Sequence, residues 1–191
     1  MKSVLIAIRP QWVEKIASGE KTIEVRKTAP KEVPFKAYIY CTKEKKQDDI
    51  IWAGIFGDRG KWNGRVIGEF ICDRIEMVNA KCSDYGIDLF YHDCLTNGCL
   101  TEREIEKYFN VPEDRDLRAM KGNGYVWNIS DLKIYDKPKE LSEFSRPCSY
   151  SGLCFSCKRT SFKKDGNLLC NTKITRPPQS WMYVEDLGEE E

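Results

Sequence analysis

Short runs in which apolar and polar side chains alternate constrain this chain more than any other feature. In TIEVR, Ile23 and Val25 fall on one face and Thr22, Glu24 and Arg26 on the other, the period of a half-buried strand. FKAYIYCT repeats the pattern, with Phe35, Ala37, Ile39 and Cys41 opposed to Lys36, Tyr38, Tyr40 and Thr42. GRVIGEFICDRIEMV reads as one long bent strand with Gly68 at a bulge or close approach. In GYVWNISDLKIYDKP, Trp127 and Ile129 share a face, Leu132 and Ile134 continue after a shift, and Pro138 is the expected stop. VLIAI supplies a first strand and SWMYV a last one.

Helical signals are fewer. Pro10 suits the first turn of a helix over residues 10–18, packed by Trp12, Val13 and Ile16 and ended at Ser18-Gly19. Residues 43–64 read as a polar loop or hairpin arm around IIWAGIF. From 79 to 124 the chain turns acidic and partly helical, with Thr101 and Glu104 at capping-box spacing before a helix in TEREIEKYF. The class is α+β.

The 191 residues suffice for one good core with a small appended module. No apolar run approaches the roughly 18 residues of a membrane span. Arg9 and Pro10 interrupt the opening MKSVLIAIRPQW and no small-residue cleavage site follows, so it reads as a strand and not a leader. A soluble, cytoplasmic protein without a membrane partner is expected.

Net charge is +1, which excludes global attraction to nucleic acid as an argument and leaves its distribution. Met1 to Lys46 holds 11 basic against 5 acidic residues, whereas Met77 to Asp116 holds 4 against 9. A basic and an acidic side follow, or simply ordinary solvated faces; the acidic insertion and the acidic tail EDLGEEE are where a protein partner would bind. Single His92 lies away from any motif and argues against histidine-based acid-base chemistry.

Three groups of residues carry candidate chemistry. Lys21, Glu24 and Arg26 crowd one short strand, as a solvated face or as a polar site. Glu69 interrupts an apolar run, where a carboxylate is expensive to bury unless paired. Nine cysteines are many for a chain with no export signal. Cys148, Cys154, Cys157 and Cys170 give C-x5-C-x2-C-x12-C, whose C-x2-C knuckle offers two thiolates for a structural Zn²⁺ that the outer two would complete. Free buried thiols and a redox role are the other readings of the same cysteines.

The succession of strand, short helix, SGEKTIEVRK, GRVIGEF and late GYVWNISDLKIYDKPKELSEF resembles the ASCH domain of the PUA-like superfamily, over roughly residues 1–144 apart from the insertion. The tail is similar to the C-terminal extension of phage and bacterial members. The resemblance implies a PUA-like mixed β-barrel with short flanking helices, covering residues 1–146 with the insertion at about 79–124. A Cys-rich extension, 147–191, would be zinc-stapled and return to the barrel. It also implies a cleft in which Lys21, Glu24 and Arg26 converge, with Lys21 just before the regular strand, and RNA or a nucleotide as ligand. Beside these, Trp12 and Tyr40 are the aromatic residues that would stack on bases.

Some minimal family members are amidohydrolases of N4-acetylcytidine that use Lys, Thr and Glu; Lys21 and Glu69 match the Lys and the Glu. Glu24 stands where the nucleophilic Thr would be, and a carboxylate is a poor replacement for a hydroxyl nucleophile. Thr22 lies two residues away on the same face. Other members are ribonucleases. The chain is therefore read first as an RNA- or nucleotide-binding module. The alternative is a hydrolase on the same cleft, an acylated-nucleoside amidohydrolase or a ribonuclease, with Lys21, Glu24 and Glu69 as its catalytic residues.

Overall fold

The structure is a computed structural model that describes residues 1–43, 62–112, 117–148, 160–162, 168–170 and 172–188, with 160–162 and 168–170 described by backbone alone. Most of the 43–64 arm, including IIWAGIF, lies outside the described residues.

Two sheets organise the molecule. The larger has the order β10-β1-β3-β4-β7, from strands β1 (Lys2–Ile8), β3 (Phe35–Cys41), β4 (Val66–Cys72), β7 (Ser130–Lys139) and β10 (Trp181–Val184). The smaller has the order β2-β6-β5, from β2 (Ile23–Arg26), β6 (Asn123–Asn128) and β5 (Ile75–Asn79). A separate hairpin pairs β8 (Thr160–Phe162) with β9 (Leu168–Cys170). The architecture is α+β, and hydrogen bonding in the two larger sheets does not close into the expected continuous barrel among the described residues.

Helix α1 (Pro10–Ala17) follows β1 immediately, with Pro10 in its first turn and Val13 and Ile16 buried against the larger sheet. That crossover lets β1 and β3 pair in parallel, with Lys2 opposite Phe35 and Ile8 opposite Cys41. β1 is covered on both faces, which is why VLIAI is continuously apolar.

Three readings are corrected. GRVIGEFICDRIEMV is two strands, β4 and β5, which break at Asp73-Arg74 and enter different sheets. The GYVWN…KP stretch likewise splits into β6 and β7. β7 runs through Pro138 to Lys139, because it is an edge strand and a proline there removes no ladder bond. Gly68 does mark a close approach, since a Cβ there would lie 2.4 Å from the Lys133 carbonyl oxygen.

β3 is buried along all seven residues, not half-buried. Phe35, Ala37, Ile39 and Cys41 join the main core with Trp127 and Phe70. Tyr38 and Tyr40 face a second core with Leu5, Val66, Phe144, Ile174 and Val184. The C-terminal residues thus cover the face that the alternation left to solvent.

The insertion does the same for β2. Its helices α2 (Asp84–Thr96) and α3 (Glu102–Phe109) bring Ile87, Phe90, Cys94, Ile105 and Phe109 onto Ile23 and Val25. Each such apolar side chain contributes about 1.5–3 kcal/mol on full burial. With that face sealed, the charged face of β2 is turned inward. Among the described residues no helix is long and apolar enough to cross a membrane.

Candidate functional site

Lys21 sits two residues before β2, where its own N–H donates to Lys15 O at 2.9 Å and the N–H groups of Thr22 and Ile23 donate to Asn97 O. The chain is therefore pinned between the end of α1 and the turn that follows α2. From there the Lys21 ammonium donates to Gly98 O at 2.7 Å and lies 3.6 Å from Glu24 Oε2. It also lies 5.5 Å from the Trp12 ring centroid. Only 3% of Lys21 is exposed.

Glu24 and Arg26 complete the cluster from within β2. Arg26 Nε is 3.0 Å from Glu24 Oε1, a close ion pair whose N–H is not aligned for a hydrogen bond. Arg26 Nη2 donates to Ala7 O at 2.8 Å, crossing to the larger sheet where β10 begins, and Nη1 reaches Ser180 Oγ at 3.4 Å. Glu24 is 6% exposed and Arg26 9%. Glu24 Oε2 is buried without a hydrogen bond among the described residues.

Two cations and one carboxylate leave the cluster with a net positive charge in a poorly hydrated place. The carbonyls of Gly98 and Ala7 offset part of it. Removing charges from water costs several kcal/mol each, so a cluster with one surplus cation gains from an added anion. Cys94, buried beneath, is pushed up to about 12 by burial, with Lys21 pulling the other way, and stays a thiol.

Tyr108 on α3 stands beside the same cluster. Burial raises its pKa, against the opposing pull of Arg26, and the Lys27 ammonium lies 5.1 Å from its ring centroid. No sequence pattern singled it out. Gly98, Asn97 and Ser180 were equally invisible, because each acts through a turn or strand end that arrives from far along the chain.

The other sequence candidates lie elsewhere. Glu69, on β4 opposite Tyr38, accepts from Tyr135 Oη at 2.6 Å and lies 3.8 Å from Lys36 Nζ. Lys36 also meets Asp186 at 3.1 Å, and the Tyr38 hydroxyl donates to Asp186 at 2.6 Å. Burial pushes the Asp186 carboxyl up, but the hydrogen bonds from Tyr38 and Lys36 outweigh it and hold it at about 2. No ion pair or hydrogen bond joins this group to Lys21 or Glu24 among the described residues, so Glu69 belongs to a tail-docking cluster. Trp12 is half-buried beside Lys21. Tyr40 is 3% exposed in the second core and has no face to offer a base, which corrects the expectation that it stacks.

Of the tail cysteines, Cys148 is exposed, Cys154 and Cys157 lie outside the described residues, and Cys170 is placed by its backbone in β9.

Comparison with solved structures gives a fold that matches these elements. The crystal structure of ASCH from Zymomonas mobilis superposes with a TM-score of 0.55 at 17% identity, covering 96% of this chain and 88% of that one. The chain has the ASCH fold. A Tyr-to-Phe variant of the same Zymomonas mobilis protein gives a TM-score of 0.54 at 16% identity, covering 97% and 91% of the two chains. Its Ser-to-Ala variant gives 0.54 at 16% identity, covering 96% and 89%. No protein-family model and no curated protein matches the sequence. On this ASCH fold the helical insertion and the tail lie within the aligned length.

Proposed function

We propose that this ASCH-type domain binds RNA or a nucleotide at a cleft lined by Lys21, Glu24 and Arg26. The observation that carries the reading is the convergence of the three charged side chains of one motif into a single buried cluster with surplus positive charge. A buried, paired guanidinium held by two fixed acceptors presents its remaining donors in one geometry, which suits phosphate. Glu24 Oε2 is buried without a hydrogen bond and accepts from a base or sugar edge only when the ligand opens the cluster.

The test is fluorescence anisotropy with labelled single-stranded RNA, and calorimetry with nucleotides, at several salt concentrations. Binding should weaken with salt, and Arg26→Gln and Lys21→Met should weaken it further and flatten the salt dependence. Absence of salt-sensitive binding, or variants that bind as tightly as the parent while folded, removes the proposal.

A second reading, a hydrolase on the same cleft, is favoured by one contact, the Lys21 ammonium beside the unbonded Glu24 oxygen at 3.6 Å. Such a pair has the elements of proton transfer. In that reading Glu69 takes no part. Turnover of N4-acetylcytidine or mixed RNA above a Lys21→Met control supports it, and equal rates eliminate it.

We also propose that Cys148, Cys154, Cys157 and Cys170 hold a structural zinc ion. The β8–β9 pairing supports this, because it sets the backbone of Cys170 opposite Thr160, three residues after Cys157 in sequence.

A further inference from the structure

Helix α3 is held at both ends. Thr101 and Glu104 form a reciprocal capping box at its start, and Asn110 closes it in the left-handed conformation with φ 53°. Ile105 and Phe109 bury one side of it against β2. Tyr108 lies on its flank, in edge contact with Phe109 at 5.0 Å, and is 36% exposed. Its ring neighbours Lys27, the residue that follows Arg26 at the end of β2. The Lys27 ammonium, from an exposed residue, stands 5.1 Å from the ring centroid and covers that face of the ring.

A surface tyrosine with a lysine over it is ordinary where the ring is free to swing. This ring is held along its edge by Phe109 and stands against Lys27, the neighbour of Arg26 in a buried cluster with surplus positive charge. Aromatic rings beside cations are how single-stranded nucleic acid is gripped, since every base has a face to stack and every nucleotide a phosphate to hold. Fixing the ring beforehand lowers the entropy lost on binding.

Deepening the binding reading above, and resting on it, we propose that Tyr108 is the base-stacking platform of the site. A base lies on the ring face that Lys27 now covers, Lys27 moves aside to the phosphate, and Arg26 holds the same or the adjoining phosphate. The insertion thus contributes a recognition residue as well as a cover for β2. The ligand class is single-stranded RNA or a nucleotide with an unpaired base.

The experiment measures binding of two labelled oligonucleotides, a short single-stranded RNA and its abasic counterpart of equal length and charge, to the parent, Tyr108→Phe and Tyr108→Ala. Tyr108→Ala should weaken binding of the intact RNA by roughly 5- to 150-fold and leave the abasic oligonucleotide nearly unaffected. Tyr108→Phe, which keeps the ring, should retain most of the affinity. If Tyr108→Ala fails to fold, Tyr108→Leu replaces it, because leucine keeps an apolar contact with Phe109 and has no aromatic face. Unchanged binding of intact RNA by the variant, or an equal loss on the abasic oligonucleotide, overturns the stacking role. If parent binding depends on Arg26 and not on Tyr108, only this inference falls. A parent protein that binds neither oligonucleotide removes both it and the reading beneath it.

Discussion

Replacing Lys21 by methionine keeps most of the stem volume and removes the charge and its donors. Three losses then add. The Gly98 carbonyl, which receives the ammonium at 2.7 Å, is left buried without that partner, at about 1–3 kcal/mol. Glu24 loses one of its two cations and keeps Arg26 at 3.0 Å, so the penalty is below the 3–5 kcal/mol typical of an uncompensated buried charge, roughly 1–2 kcal/mol. The contact of the ammonium with the Trp12 face contributes about 0.5–1 kcal/mol more. The total is about 2.5–6 kcal/mol, which for a chain of this size lowers the melting temperature by roughly 5–24 °C. Urea unfolding followed by circular dichroism measures it, with Glu24→Gln and the double variant closing a double-mutant cycle. The double variant should be more stable than the sum of the single losses predicts, since it removes the carboxylate that Lys21→Met strands. A Lys21→Met protein within about 0.5 kcal/mol of the parent would refute the buried cluster and return Lys21 to a solvated face.

Other perturbations reach different parts of the account. Gly98→Ala places a Cβ 2.6 Å from the Cys94 carbonyl oxygen, so the turn that holds Lys21 must shift; a stability loss of about 1–3 kcal/mol with weakened RNA binding is expected in urea and anisotropy measurements. Asp186 titrates at about 2 in the folded protein, below its ordinary 3.8, so its contribution to tail docking is present above about pH 3.8 and is lost as pH falls through about 2. Hydrogen exchange at the Leu187 amide, which donates to Tyr38 Oη at 3.0 Å, should speed up relative to its intrinsic rate over that interval, and Asp186→Asn should speed it at neutral pH. Metal analysis of protein purified without added zinc should find about one equivalent, and chelation should loosen Cys148 to Cys170 before the sheets melt. Metal-free native protein would leave the cysteines as thiols.

Much of the fold was legible because it depends on local period. Val13 and Ile16 mark the buried side of α1, Thr101 and Glu104 mark the start of α3, and the alternation in TIEVR marks β2. Where a strand ended and which sheet it joined was less legible, because a bend at Asp73-Arg74 looks the same in sequence whether the strand continues or changes sheet. Lys36, Tyr38 and Tyr40 looked like a solvent face for a related reason. Alternation reports the chemistry of a face and not its cover, and the cover here comes from Phe144, Ile174 and Val184, more than a hundred residues later. The same blindness concerned the site. Lys21, Glu24 and Arg26 were grouped by their place on one short strand and by the resemblance, whereas Gly98, Ser180 and Tyr108 join them only through tertiary contact. Glu69 was grouped with Lys21 by resemblance, yet its register opposite Tyr38 sends it to the tail-docking cluster.

The most direct measurement is a crystal structure of the protein with a bound single-stranded RNA or pyrimidine nucleotide. The account predicts phosphate oxygens within hydrogen-bond distance of Arg26, a base stacked on Tyr108, and a sugar or base donor on Glu24 Oε2. RNA seated on another face with the Lys21–Glu24–Arg26 cluster unchanged and sealed would contradict it, and would return the three charges to holding the two sheets together.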